Sequence, residues 1–176
     1  MRVALWDMNP GVVFAWTQVF SGFEDIRIGS GNILKAHVDA IVCPANSLGF
    51  MDGGIDLAYR NFFGISIQAK VRAVIQYQYK GEIPVGSAFA VSTGHPRITR
   101  LIVAPTMRTP RPIHGTENVY LATRAALLCA LEQDPLIHVL GFPGMGTGVG
   151  GMDPFESAEQ MLKAHRSAST RPSRRG

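Results

Sequence analysis

The sequence predicts an α/β layered sandwich built around one core. Three observations lead there. Short apolar runs of strand length alternate along the chain with apolar positions at helical spacing. Glycine is in excess, 19 of 176 residues, and the excess gathers at strand-to-helix junctions. The chain is 46% apolar and 17% charged, ordinary values for a folded domain of this length. That balance excludes a disordered chain, a collagen-like chain and a coiled coil.

The elements follow in order. Val3–Trp6 is a short strand with β-branched and aromatic members. Asn9-Pro10 offers a cap and a first-turn proline to a helix carrying Val12, Val13, Trp16, Val19 and Phe20, which Gly22 ends. Ile26 and Ile28 mark a brief strand, and residues 38–43 (VDAIVC) a buried one. Residues 55–63 and 66–79 read as helices, the second with Ile67, Val71, Val74 and Ile75 on one face. The alternation then repeats: strands at 87–91 and 101–104, an Ala- and Leu-rich helix at 119–131 and a buried strand at 136–142. A last helix begins near Pro154, with Asp153 as cap and Glu156 three residues on. Strands interleaved with helices over one core make a layered α/β domain. Residues 1–165 form that domain, and the Ser/Arg/Pro-rich residues 166–176 are expected to be a basic disordered tail.

Charge is distributed unevenly. Four of the 17 basic residues and none of the 13 acidic ones lie in residues 166–176, so residues 1–165 are formally neutral. The net charge of +4 belongs to the tail, and a basic nucleic-acid face on the domain is not expected. Cys43 and Cys129 lie in apolar runs and are expected to be reduced, buried thiols. The first residues lack a signal-peptide pattern, and no apolar run reaches spanning length. A cytoplasmic, monomeric protein without membrane contact is the expectation. The five histidines show no metal-ligand spacing, so no metal is expected.

Two loops carry the candidate chemistry. Residues 141–151 (GFPGMGTGVGG) contain six glycines between a strand and a helix. Such a loop lets several backbone N–H groups converge on a phosphate. A dinucleotide fingerprint fails, because its downstream acidic residue would fall in the Arg-rich tail, and no Gly-Lys-Ser/Thr is present for a Walker loop. A flexible turn is the plainer alternative. Asp153 is read as a helix cap rather than a catalytic carboxylate, which leaves a phosphate to the amides of Gly144 to Gly150. The second loop, residues 44–55 (PANSLGFMDGGI), also joins a strand to a helix. Asn46 suits a sugar hydroxyl or a turn, and Asp56 suits catalysis or the dipole of the helix it begins.

Together these segments resemble the macro domain family. The resemblance rests on Gly31-Asn32-Ile33, Asp39-Ala40-Ile41-Val42-Cys43-Pro44-Ala45-Asn46, Asp52-Gly53-Gly54-Ile55-Asp56 and Gly144-Met145-Gly146-Thr147-Gly148-Val149-Gly150-Gly151, in the family's order and spacing. It spans roughly residues 30–165. It implies a three-layer α/β/α macro-type sandwich with a mixed, mostly parallel central sheet. It also implies binding of ADP-ribose, free or on a modified protein, with no cofactor. Asn32 and Ile33 would meet the adenine, and Asn46 the distal ribose. Gly53, Gly54 and Ile55 would wrap the diphosphate from one side, and Gly144, Met145, Gly146, Thr147, Gly148, Val149 and Gly150 from the other. Asp56 matches the aspartate of the mono-ADP-ribosyl-hydrolase branch, so hydrolysis of esters to acidic side chains or of O-acetyl-ADP-ribose is implied, with Asp56 and Asn46 as catalytic residues. A non-catalytic reader and a structural or phage-assembly component are the alternatives. The chain departs from the family pattern at Asn32, Cys43, Asp52 and Gly150. Where another branch carries a nucleophilic lysine, residues 59–62 here read YRNF.

Overall fold

The computed structural model describes residues 1–133 and 135–170. Among the described residues six strands form one sheet in the order β2-β1-β6-β3-β5-β4. They are β1 (Arg2–Asp7), β2 (Ile26–Ser30), β3 (Ala40–Cys43), β4 (Phe89–Ser92), β5 (Arg100–Val103) and β6 (Val139–Phe142). All neighbours are parallel except β4 against β5. Among the described residues five α-helices flank the sheet: α1 (Pro10–Val19), α2 (Gly54–Phe63), α3 (Ser66–Tyr79), α4 (Asn118–Leu131) and α5 (Pro154–Ser169).

The period of two along each strand sorts the core into two layers. Val3 and Leu5, Ala40 and Val42, Ile102, and Leu140 and Phe142 face α1, α4 and α5. Ala4, Ile41 and Cys43, and Leu101 and Val103 face α2 and α3. Both sheet faces are therefore covered, which is why the central strands read as unbroken apolar runs rather than alternating ones. Trp16 and Tyr59 are the bulkiest buried side chains, one in each layer.

Local chemistry sets the boundaries. Asn9 Oδ1 accepts from the amide of Gly11 (2.9 Å), capping α1. Asp153 Oδ1 accepts from Phe155 and Glu156 (2.9 and 3.1 Å), so it is the cap of α5. Strand β6 begins three residues later than its apolar run. The Asp39 carboxylate takes the amides of His138 and Val139 (2.7 and 2.8 Å) and fixes the entry to the strand. The expected disordered tail is corrected at its start. Helix α5 continues through residues 166–169, with Ala168 buried in the core and Arg124 Nε donating to Ser167 Oγ (3.0 Å). Residues 171–176 lie outside the described residues.

One consequence of this topology places the site. β3 and β6 are parallel neighbours, yet α2 leaves β3 toward one face of the sheet and α5 leaves β6 toward the other. The loops diverge and open a crevice at the carboxyl edge between them, the usual place for a ligand in an α/β sheet.

Candidate functional site

The crevice is walled by the loop after β3 and the loop after β6, both rich in backbone N–H groups that the protein leaves unused. Gly53 caps α2 without any side-chain acceptor, so the first amides of that helix stay open. At α5, by contrast, Asp153 occupies the corresponding amides. In the late loop the amides from Met145 to Gly150 have no acceptor among the described residues. A helix start without a cap and a run of unpaired amides are the backbone features that suit an anion without Lys or Arg.

The late loop is nevertheless rigid. Met152 donates to the carbonyl of Gly146 (3.0 Å), and Ile113 to that of Gly150 (2.8 Å). Glycine is required at two points. A Cβ on Gly146 would meet Ile113 and Val119 at 2.8 Å, and its φ is +70°. A Cβ on Gly150 would stand 2.5 Å from the Gly146 carbonyl oxygen. Around Gly148 the space is open, and Val149 is 63% exposed. Thr147, just before them, is half-buried. The loop thus combines tight packing at Gly146 and Gly150 with open space at Gly148 and free amides.

Asp56 lies in the first turn of α2 and is 9% exposed. Burial pushes its carboxyl up to about 6, and a hydrogen bond from Cys43 partly opposes that rise. The Cys43 thiol donates to Asp56 Oδ1 at 3.0 Å. Burial and the adjacent carboxylate hold this thiol well above its ordinary value, so it stays protonated. The second carboxylate oxygen, Oδ2, has no hydrogen-bond partner among the described residues.

Several expected ligand contacts take a different form. Asn46 holds its own loop: Nδ2 donates to the Phe50 carbonyl (2.8 Å), and Oδ1 accepts from Leu48 and Phe50 (3.1 and 3.3 Å). The turn reading of Asn46 is thus what its bonds display, with one amide hydrogen left for a hydroxyl. Asn32 Oδ1 accepts from Leu34 (2.9 Å) and caps a single 3-10 turn at Ile33–Lys35, so that oxygen is already engaged. The side chains of Ile33 and Met145 are buried in the core, which leaves only their backbone to face a ligand. The Gly144 amide is corrected as a phosphate donor, because it donates to Asp7 Oδ2 (2.8 Å). The Asp52 carboxylate is paired with Arg60, which also reaches Gln68 Oε1 (3.4 Å).

Two residues at the end of β1 were not singled out from sequence. Asp7 ties the late loop to the sheet through Gly144 and also accepts from the Asn9 amide (2.8 Å). Trp6 is half-buried, with its ring over Gly29, where a Cβ would meet it at 2.1 Å. Its Nε1 lies beside Gly31, one residue before Asn32. The available signal was their position at the carboxyl end of a strand, next to a glycine-bearing strand that can accept a ring.

Comparison with known proteins bears on the whole arrangement. The family model described as Macro domain matches residues 42–161. An Aquifex aeolicus protein of unassigned function is 37% identical over 139 residues, 79% of either chain. A Thermus aquaticus protein named DNA ADP-ribosyl glycohydrolase is 27% identical over 139 residues, covering 78% of this chain but 37% of that one. Among solved structures, the macrodomain of Mycobacterium tuberculosis DarG superposes with a TM-score of 0.66 at 25% identity, covering 79% of this chain and 88% of that one.

Proposed function

The chain belongs to the macro domain family, and from that premise we propose that it binds ADP-ribose in the crevice between β3 and β6 and hydrolyses ADP-ribosyl esters there. One observation carries the reading: the buried Asp56 carboxylate stands in the first turn of α2, at the helix start whose amides lack a side-chain cap. A diphosphate held by the amides of Gly54, Ile55 and Gly146–Gly150 would neutralise its charge on backbone dipoles. The half-buried Trp6, whose indole Nε1 lies beside Gly31, offers apolar ring surface to a base, and the remaining amide hydrogen of Asn46 a donor to a ribose hydroxyl.

The chemistry follows from the leaving group. An ester at the anomeric carbon releases a carboxylate, so little acid assistance is needed. What is needed is a positioned water and support for developing positive charge. Asp56, poised near 6, is ionised at neutral pH and accepts the water's proton through Oδ2. Ser- or Arg-linked ADP-ribose has a poorer leaving group, and no proton donor for it stands in the crevice among the described residues.

The test assays ADP-ribose release from Glu/Asp-, Ser- and Arg-linked substrates and from O-acetyl-ADP-ribose, with wild type beside Asp56→Ala. Release from the acidic and acetyl esters alone, cut by ~10² or more in the variant, is the expected result. Affinity for free ADP-ribose stays within several-fold. Binding without turnover on every linkage would replace the enzyme with a reader of the same ligand.

A further inference from the structure

We propose that Cys43 is the positioning residue for Asp56: its thiol hydrogen, delivered from the end of β3, fixes the carboxylate's orientation and governs how readily it holds a proton. The inference rests on the reading of Asp56 as the group that handles the water. It goes beyond that reading, because it assigns a role to Cys43, one of the four positions at which this chain departs from the family pattern.

The geometry is a double lock between one strand end and one helix. Tyr59 donates its hydroxyl to the Val42 carbonyl (3.2 Å), and Cys43 donates to Asp56 Oδ1 (3.0 Å). Residues 56 and 59 are one turn apart on α2, and residues 42 and 43 are consecutive on β3. The Tyr59 bond sets the helix register against the strand. The Cys43 bond then acts on one carboxylate oxygen and leaves the other for a water. Cys43 is fully buried, which removes it as a nucleophile and keeps it as a permanent donor.

The other polar and ionisable groups in this corner are already engaged. Asp7, at the end of β1, accepts from Asn9 and Gly144. Arg60, on α2, is paired with Asp52 from the early loop. Tyr59 donates to Val42. Gln68, on α3, accepts from the Met51 amide (2.7 Å). Among the described residues, Cys43 is the only side chain that donates to Asp56.

The step in catalysis is a proton transfer. Water attacks the anomeric carbon, the ester C–O bond breaks with its electron pair leaving on the carboxylate, and the water's proton passes to Asp56 Oδ2. An S–H bond to Oδ1 favours the ionised form that can receive that proton. Its removal leaves more of the enzyme protonated at Asp56, and therefore inactive, at mildly acidic pH.

The experiment reads Asp56 directly. Its carboxyl carbon is titrated by NMR in the full chain without substrate, for wild type, Cys43→Ala, Cys43→Val and Cys43→Ser. The expected result is an upward move of the midpoint by ~0.5–1 unit in the Ala and Val variants, modest because a thiol is a weak donor. Cys43→Ser, which restores a donor and a stronger one, stays at or below the wild-type midpoint. The acid limb of kcat/KM moves by the same amount, with kcat reduced more than KM is changed. A second measurement needs no change at position 43. In a Cys129→Ser background, the Cys43 S–H stretch is lowered in frequency and loses that shift in Asp56→Ala, which removes the acceptor. An unmoved midpoint in both Ala and Val, or Ser behaving as Ala, overturns the proposal. A moved midpoint in a protein that turns over no ester keeps the coupling and removes hydrolysis.

Discussion

Asp56 presents a conflict at the scale of a single residue. The start of α2 favours a negative charge, yet desolvation outweighs that and lifts the carboxyl to about 6. A carboxyl that binds its proton more tightly when folded stabilises the protein at low pH and loses that contribution as pH rises from its ordinary 3.8 to about 6. Two pKa units correspond to about 3 kcal/mol. Asp56→Asn should therefore raise stability at pH 8 by up to about 3 kcal/mol and leave it little changed near pH 3. Urea unfolding of both proteins at the two pH values checks this, and an equal difference at both would show that the carboxylate is not strained by burial. The loop at residues 44–55 and the place of Asp56 in the first turn of the next helix were legible in sequence. The Cys43–Asp56 bond was not, because it depends on the angle at which α2 meets β3. Likewise, Asn46 and Asn32 were legible as polar groups at strand and loop ends, but a single chain of letters does not reveal which backbone amides an amide side chain will take.

At the scale of the element, the late loop separates fold from function within six residues. Gly148 faces open space, so Gly148→Glu places a carboxylate among the free amides without disturbing the packing. Like charge against a diphosphate costs several kcal/mol, so affinity for ADP-ribose should drop by ~10² or more while Tm is unchanged. Gly150→Ala behaves in the opposite way. Its Cβ would stand 2.5 Å from the Gly146 carbonyl oxygen, and the shift needed to relieve that should cost about 1–3 kcal/mol. Calorimetry and thermal melts of the pair distinguish the two positions. A Gly148→Glu protein that binds normally would move the diphosphate elsewhere. The elements themselves were legible because a buried strand and a one-faced helix impose different apolar periods, and this chain keeps both cleanly. Their ends were less so. The run at 136–142 looks like one strand, but the Asp39 carboxylate captures two of its amides and delays the ladder to Val139.

For the whole molecule, electrostatics and packing give the C-terminal residues different weights. The domain is formally neutral up to residue 165, and the proposed site would meet its ligand with backbone amides, so the four arginines of residues 166–176 should contribute little to affinity. Helix α5, however, does not end where composition turns basic. No acidic residue follows Glu159, and the Ser/Arg pattern hides a helical face on which Ala168 is buried and Arg166 lies 5.8 Å above the Phe23 ring. Composition reads charge, whereas the helix continues because its small residues still fit against α4 and α1. Removing residues 171–176 should leave both Tm and ADP-ribose affinity unchanged, and affinity should fall only a few-fold between ~50 and ~200 mM salt, unlike a polyphosphate contact made by several Lys and Arg. Removing residues 166–176 also deletes the last turn of α5 and its Ser167 bond to Arg124. That should cost about 1–2 kcal/mol, which for a chain of this size lowers Tm by about 2–8 °C, again without a change in affinity at temperatures where the protein is folded. Thermal melts and calorimetry on the two truncations decide the matter. A loss of affinity on removing residues 171–176 alone would place arginines at the ligand and contradict an amide-built site.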